Sequence, residues 1–436
     1  MLRASLSALL CWTLTAQAQP PIIGPMPGHV DMLGASIWMQ CTSPCNAQLE
    51  YWVKEKPDSL LRTTVLTSEA DKAHALEFSV DRVVPGRTYG YRVLLDGKAV
   101  DVGEPLWFHT QPLWKFRGDP PDLTVAAGSC TYVNEPAYDR PGKPYGGGHG
   151  IFNSIADAKP DLMLWLGDNV YLREPDWGSW PGYLHRYTHT RALPELQHLL
   201  RSTHHYAIWD DHDFGPNDCD GSWIHADLSH RAFDLFWANP THGLPGVGGN
   251  GTAFSHTDVD FFLLDDRSFR VPPDLVTMMP SYLGKAQLDR LVQMLKYSDA
   301  TFKVVCVGGQ VLNTAAVFEN YATYPQERQE LLDRIDKEGI TGVVFLTGDR
   351  HHGVLSKLEL PGGNVVYDLT TSPLTSGVHA PKEVNELAVP GTVVEQRNFA
   401  VLRFTGPRKA RVLTMELRDA GGKVLWTQDL QAPAKR

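Results

Sequence analysis

The stretch Leu162-Met163-Leu164-Trp165-Leu166-Gly167-Asp168-Asn169-Val170-Tyr171 decides how the rest of the chain is read. Five apolar residues in a row, ended by glycine, predict a strand buried on both faces. The glycine beside a carboxylate lets the backbone turn sharply and approach a ligand. The same arrangement recurs on either side. Leu123–Ala127 runs into Gly128-Ser129-Cys130, Tyr206–Trp209 into Asp210-Asp211-His212-Asp213, and Val343–Leu346 into Gly348-Asp349-Arg350-His351-His352-Gly353. Further apolar runs at Phe261–Leu264 and Val304–Val307 alternate with helical stretches at 151–158, 181–200, 229–237, 285–295 and 326–337. Buried strands alternating with helices predict a layered α/β architecture, and ligands in open sheets of this kind bind beyond the carboxyl ends of the strands. Strand-like alternation from Asn398 to Leu430 is expected to complete one of the sheets.

N-terminal to this region the pattern changes. Residues 20–112 read as short strands parted by turns, among them Ala35–Met39 and Ala47–Val53. Val84-Pro85-Gly86, feeding Tyr89-Gly90-Tyr91, resembles the proline-glycine corner and tyrosine strand of fibronectin type III domains, which implies a small all-β sandwich. Nothing in it looks catalytic, so a packing role is expected. Residues 1–18 carry Arg3, a short apolar core and Ala16-Gln17-Ala18, the pattern of a secretory leader. The reading is therefore of an exported protein, periplasmic or extracellular. No later run is long enough to span a membrane. Past the leader remain Cys41, Cys45, Cys130, Cys219 and Cys306, an odd set that leaves a thiol over. Cys41 and Cys45 are near enough to close a loop across a turn, or are two half-buried thiols. The formal net charge of −10 gives no footprint for nucleic acid, yet does not exclude an anionic substrate, because bound metal reverses the sign locally.

Carboxylate, imidazole and carboxamide groups at successive strand ends suit hard or borderline metals. Here a family likeness enters. Gly167-Asp168-x-x-Tyr171 resembles the bridging-aspartate and tyrosine motif of purple acid phosphatases. Asp211-His212-Asp213 stands where calcineurin-like phosphoesterases carry Asn-His-Asp/Glu, and Gly348-Asp349-x-His351 resembles their closing Gly-His-x-His with an aspartate in the first histidine's place. With Cys130 in the opening motif, the set is similar to that of PhoD-like phosphatases. The likeness implies that residues 120–432 form a metallophosphoesterase β-sandwich flanked by helices. It implies an Fe3+ site of Cys130, Asp168, Tyr171 and His351, with Asp168 bridging to a second, Ca2+-like ion. Asp349 would bind that second ion, with Asp211 or Asn217 beside it and Gln310 in the place of a further ligand. His212 would face the phosphate as acid or charge partner. The implied activity is hydrolysis of small phosphate monoesters or diesters by a water that two metal ions activate.

The residues also admit plainer readings. At least one of Asp210, Asp211 and Asp213 is a turn carboxylate. The motif selects His351, leaving His352 at the surface or the substrate side. Asp265-Asp266-Arg267 reads equally as a phosphate holder or a buried ion pair, and Cys219 and Cys306 read as core. Two rival functions are weighed: a phospholipase D-like phosphodiesterase using the same site, and a non-catalytic exported protein that binds a cell-wall polymer.

Overall fold

The computed structural model describes residues 21–433; the leader expected at residues 1–18 lies outside them. Two six-stranded sheets stack face to face. In the first the order is 204–208, 162–166, 123–128, 398–405, 412–419 and 424–431; in the second it is 252–256, 259–263, 302–307, 343–347, 365–370 and 354–359. The layering follows from the two-residue period of a strand, which sends alternate side chains to opposite faces. Leu162, Leu164 and Leu166 enter the core between the sheets, while Met163 and Trp165 enter the core beneath the helices outside. In the second sheet Phe302, Val304 and Cys306 face inward, and Val305 and Val307 meet the outer helices Lys285–Tyr297 and Pro325–Lys337. A strand covered on both faces has no polar side to show, which is why these runs are uniformly apolar in sequence. The result is the expected α/β sandwich flanked by helices.

The stretch 181–200 is two helices, Trp180–Arg191 and Pro194–Ser202. Pro194 breaks the run: proline disfavours helical backbone in the residue before it, and Leu193 is extended at φ −57°, ψ 122°. The tail does complete a sheet, but from within. Strand Asn398–Thr405 pairs antiparallel with Leu123–Gly128 on one side and Val412–Asp419 on the other. Among the described residues no helix is long and apolar enough to cross a membrane.

The N-terminal part is all strand apart from one short helical turn. Sheet 22–30, 35–41, 75–80 faces a sheet built on 46–53 and 88–95. It does not stand apart from the rest: Ile23, Met26 and Trp38 share one apolar core with the helices over the first six-stranded sheet, and the Trp38 indole donates to the Leu235 carbonyl at 2.9 Å. Cys41 and Cys45 form a disulfide, so of the two readings the loop closure is the one present; Cys130, Cys219 and Cys306 are free. Closing so short a loop is worth about 2 kcal/mol by chain entropy. Replacing both Cys41 and Cys45 with serine is expected to cost about that much locally. The check is faster amide exchange in strands 35–41 and 46–53 with the helical layers unaffected.

Candidate metal centre

The strands 123–128, 162–166 and 343–347 end by forcing polar residues into unusual backbone. Cys130 (φ 63°), Asp168 (φ 52°), Asp349 (φ 60°) and His351 (φ 57°) all lie in the left-handed region, which side chains other than glycine and asparagine rarely adopt. Gly167 (φ 90°) makes the Asp168 turn possible, since a Cβ there would meet the Asp210 Cβ at 2.6 Å. Strain of this kind gathers at functional sites because packing around it must hold it in place.

The turns bring the expected residues together. Donor atoms of Cys130, Asp168 and His351 lie within 4.8 Å of one another; so do those of Asp168, Asp211 and His212, and those of Asp211, Asp218 and Glu319. Asp168 thus belongs to two triads, and Asp211 to two. The Cys130 thiol points at Asp168 Oδ2 at 3.5 Å and accepts from the Ser372 hydroxyl at 3.2 Å. The Tyr171 hydroxyl is 3.4 Å from His351 Nε2. His351 Nδ1 lies 2.6 Å from the Gly377 carbonyl, so it donates there and leaves the Nε2 lone pair facing the cluster. A histidine fixed through its far nitrogen in this way is prepared for metal ligation. The backbone N–H of His212 donates to Asp168 Oδ1 at 3.3 Å and Asp211 Oδ1 at 2.8 Å, and its ring packs on Tyr171 with centroids 4.3 Å apart.

The structure sorts the remaining acids by partner. Asp213 accepts backbone N–H groups from Asn169 and Asp210 and caps the turn. Asp210 is held by the buried Arg267 guanidinium, with Nε at 2.7 Å, and so faces a cation rather than the cluster. Asp211 faces the cluster. Asn217 is exposed, and it is the neighbouring Asp218 whose backbone N–H bonds Asp211 Oδ2 at 2.7 Å and whose carboxylate joins the third triad. Asp266 pairs with Arg267 and Arg270, while Asp265 ties down Trp209 and the Ser268 hydroxyl; this segment is the buried ion pair, not a phosphate cradle. The Gln310 amide is engaged at both ends, by Thr370 and Asn313. His352 is buried, with Nδ1 2.8 Å from the Arg350 carbonyl, so it belongs neither to the surface nor to a substrate side. Glu319 has no motif in the sequence. It sits in an irregular loop, in left-handed backbone, and only tertiary packing brings it to Asp211.

Electrostatics shows what the cluster lacks. Burial pushes the Asp168 carboxyl well above the usual range, and Asp211, Asp210, Asp213 and Asp349 push it further. Burial and the charge of Asp211 raise Asp349 to about 7. Burial, with Glu319 and Asp211, raises Asp218 to about 6. Burial, then Asp168 and Asp349, raise the Cys130 thiol. For Asp211 burial acts upward, but His212 and Arg267 outweigh it and hold the carboxyl below its usual range. So many carboxylates crowded out of water demand positive charge, and the carboxylate and imidazole donors fit hard or borderline metal ions, with the Cys130 thiol the one soft donor among them. A metal ion bound here would displace the protons held at Cys130, Asp168 and Asp349. Affinity is therefore expected to rise with pH through about 7 and above, and to weaken as pH falls, with proton release on binding. Metal titrations in buffers of different ionisation enthalpy check this.

Helices enclosing two stacked sheets, with mixed donors at the strand ends, define a metallophosphoesterase fold, and the comparisons agree. Residues 251–417 match the model of the PhoD-like phosphatase family, and residues 19–106 match a domain of unknown function. Alkaline phosphatase D of Bacillus subtilis is 23% identical over 336 residues, covering 66% of this chain and 55% of that relative. The chain thus spans about half the length of the curated relative it matches. A solved structure of PhoD superposes with a TM-score of 0.76 at 16% identity, covering 94% of this chain and 90% of that one. A purple acid phosphatase from yellow lupin (Lupinus luteus) seeds superposes with a TM-score of 0.70 at 12% identity, over 94% of this chain and 74% of that one. The fold over nearly the whole chain is thus that of PhoD and of purple acid phosphatases, and residues 251–417 are similar to the PhoD-like phosphatase family.

Proposed function

We propose that the protein is an exported, metal-dependent hydrolase of phosphate monoesters or diesters. One observation carries this: Asp168 contributes donors to two adjoining triads, as a carboxylate shared between two cations must. In this reading Cys130, Asp168, Tyr171 and His351 hold Fe3+, and Asp168, Asp211 and Asp349 hold Ca2+, with Asp211 taken over the exposed Asn217. The ions, when bound, supply an acidified water and neutralise charge on the phosphoryl group. The chain's own part is positional. Ser372 and Gly377 orient Cys130 and His351, and Asp213 fixes the turn that presents Asp168. Burial lowers the pKa of His212, so its imidazole is neutral at pH 7 and free to accept or pass a proton beside Tyr171. No protein nucleophile is required, since phosphoryl transfer rests on positioning and electrostatics.

Export is supported by the Cys41–Cys45 disulfide, which persists in oxidising compartments. The mature chain is then expected to begin near Gln19; mass spectrometry of the exported protein finding Met1 intact would remove that part of the reading. Metal analysis beside a panel of mono- and diesters tests the activity. Two metals per chain, with turnover lost on chelation and restored by metal, is the expected result. Bound metal with no turnover on any phosphoester would instead favour a binding protein. Iron held by Tyr171 should colour the protein, and Tyr171→Phe should shift or abolish the band; a colourless wild type would exclude ferric tyrosinate.

A further inference from the structure

Arg173 follows the aspartate–tyrosine motif by two residues and has no part in the ligand set. Its guanidinium lies over the Tyr132 ring at 4.2 Å and the Tyr171 ring at 5.5 Å. Tyr171 in turn stacks on His212, so the arginine stands on the same wall as the residue assigned to the phosphate.

The other arginines near the centre are already engaged. Arg267 is buried between Asp210 and Glu319. Arg270 is buried against Asp266 and Glu319. Arg350 bonds Glu383 at 2.6 Å and Asn320 at 3.1 Å. Arg173 is held far more loosely. It makes a 3.4 Å bond to the Leu172 carbonyl, and its Nε is 3.6 Å from Asp139 Oδ1, beyond hydrogen-bond range. Asp139 is itself taken up by the Tyr132 hydroxyl at 2.8 Å and the Glu135 N–H at 2.8 Å. The Arg173 side chain keeps 15% exposure, so its fork of donors retains capacity toward an anion arriving from solvent.

We propose that Arg173 is the substrate-binding residue that takes the non-bridging oxygens of the phosphoryl group, from its seat on Tyr132 and Tyr171 beside His212. A planar fork suits this task, because it donates two parallel bonds to one phosphate. Tyr132 and Asp139 hold the guanidinium plane, and the Tyr132 hydroxyl and the Leu172 carbonyl take only part of its donor set.

The proposal rests on the phosphoesterase reading, and its test separates the two. Inorganic phosphate is titrated calorimetrically into metal-loaded wild type, Arg173→Met and Arg173→Lys, with metal content and melting temperature measured beside. Arg173→Met keeps the apolar stem on Tyr132 and removes the fork. It is expected to bind phosphate roughly ten- to a hundred-fold more weakly at full metal content, the size of a lost charge-assisted pair. Arg173→Lys, keeping charge without the fork, should fall between, and is read in its place if Arg173→Met does not fold. If the wild type turns over phosphoesters, KM should rise in Arg173→Met by a larger factor than kcat falls. Unchanged phosphate binding, or loss of metal in either variant, overturns the proposal. If the wild type hydrolyses no phosphoester, the phosphoesterase reading fails while the phosphate titration still decides for or against Arg173.

Discussion

Asp168→Asn is expected to reduce turnover to background and to empty at least one metal position while leaving secondary structure intact. The substitution is unusually clean at this place. Asparagine is among the few side chains that tolerate left-handed backbone, so the φ of 52° at residue 168 survives the change. The amide oxygen can still accept the His212 N–H that Asp168 Oδ1 now receives. What disappears is the charge, and with it the one carboxylate that belongs to both the Cys130/His351 triad and the Asp211/His212 triad. The amide removes a buried acid whose charge burial and four neighbouring carboxylates disfavour, so the metal-free fold should not suffer. Metal content by mass spectrometry, far-ultraviolet dichroism and kcat on one preparation give the answer. Full metal with near-normal rate would overturn the assignment of Asp168 as a shared ligand.

The second large effect falls on a different quantity. His212→Ala should retain both metals and lose roughly 10²–10⁴-fold in kcat, the usual contribution of a positioned acid or base. The backbone N–H of residue 212 is what Asp168 and Asp211 receive, and alanine keeps it. The capping bonds of Asp210 and Asp213 at the start of helix Asp211–Phe214 are likewise untouched. Only the imidazole is removed from the face of Tyr171. Because a His212 nitrogen also lies within the second triad, metal loss in this variant would turn the histidine into a ligand and vacate the proton-transfer role.

These two residues were legible because each ends an apolar strand, where a run of five or six residues announces itself and the next polar group is placed by the turn. The sheet layers were legible for the same reason. Glu319 and Asp218 were not, since they reach Asp211 from irregular loops whose path depends on packing elsewhere. Arg267 was visible beside two aspartates, but sequence could not choose between phosphate and Asp210 as its partner; burial chose Asp210. The helix break at Pro194 was written in the chain and simply outweighed by the long periodic pattern around it. His352 shows the opposite limit: a histidine next to a candidate ligand gives no hint that its own ring is sealed against the Arg350 carbonyl.

The position of strand Asn398–Thr405 also sets the order in which the molecule can be made. Its residues pair Leu123 with Phe404 and Ala127 with Ala400, so the strand that delivers Cys130 has an open flank until nearly all of the chain has emerged. Contacts this distant along the chain form late and slowly. A nascent chain therefore carries the cysteine turn without the neighbour that closes the sheet around it. Final assembly of the two-sheet half waits on its last strands, and a chain cut short before residue 398 loses three of the six strands of that sheet, leaving Leu123–Gly128 as a bare edge. Such fragments would expose an unpaired, apolar strand, which marks them for aggregation or for clearance by quality control.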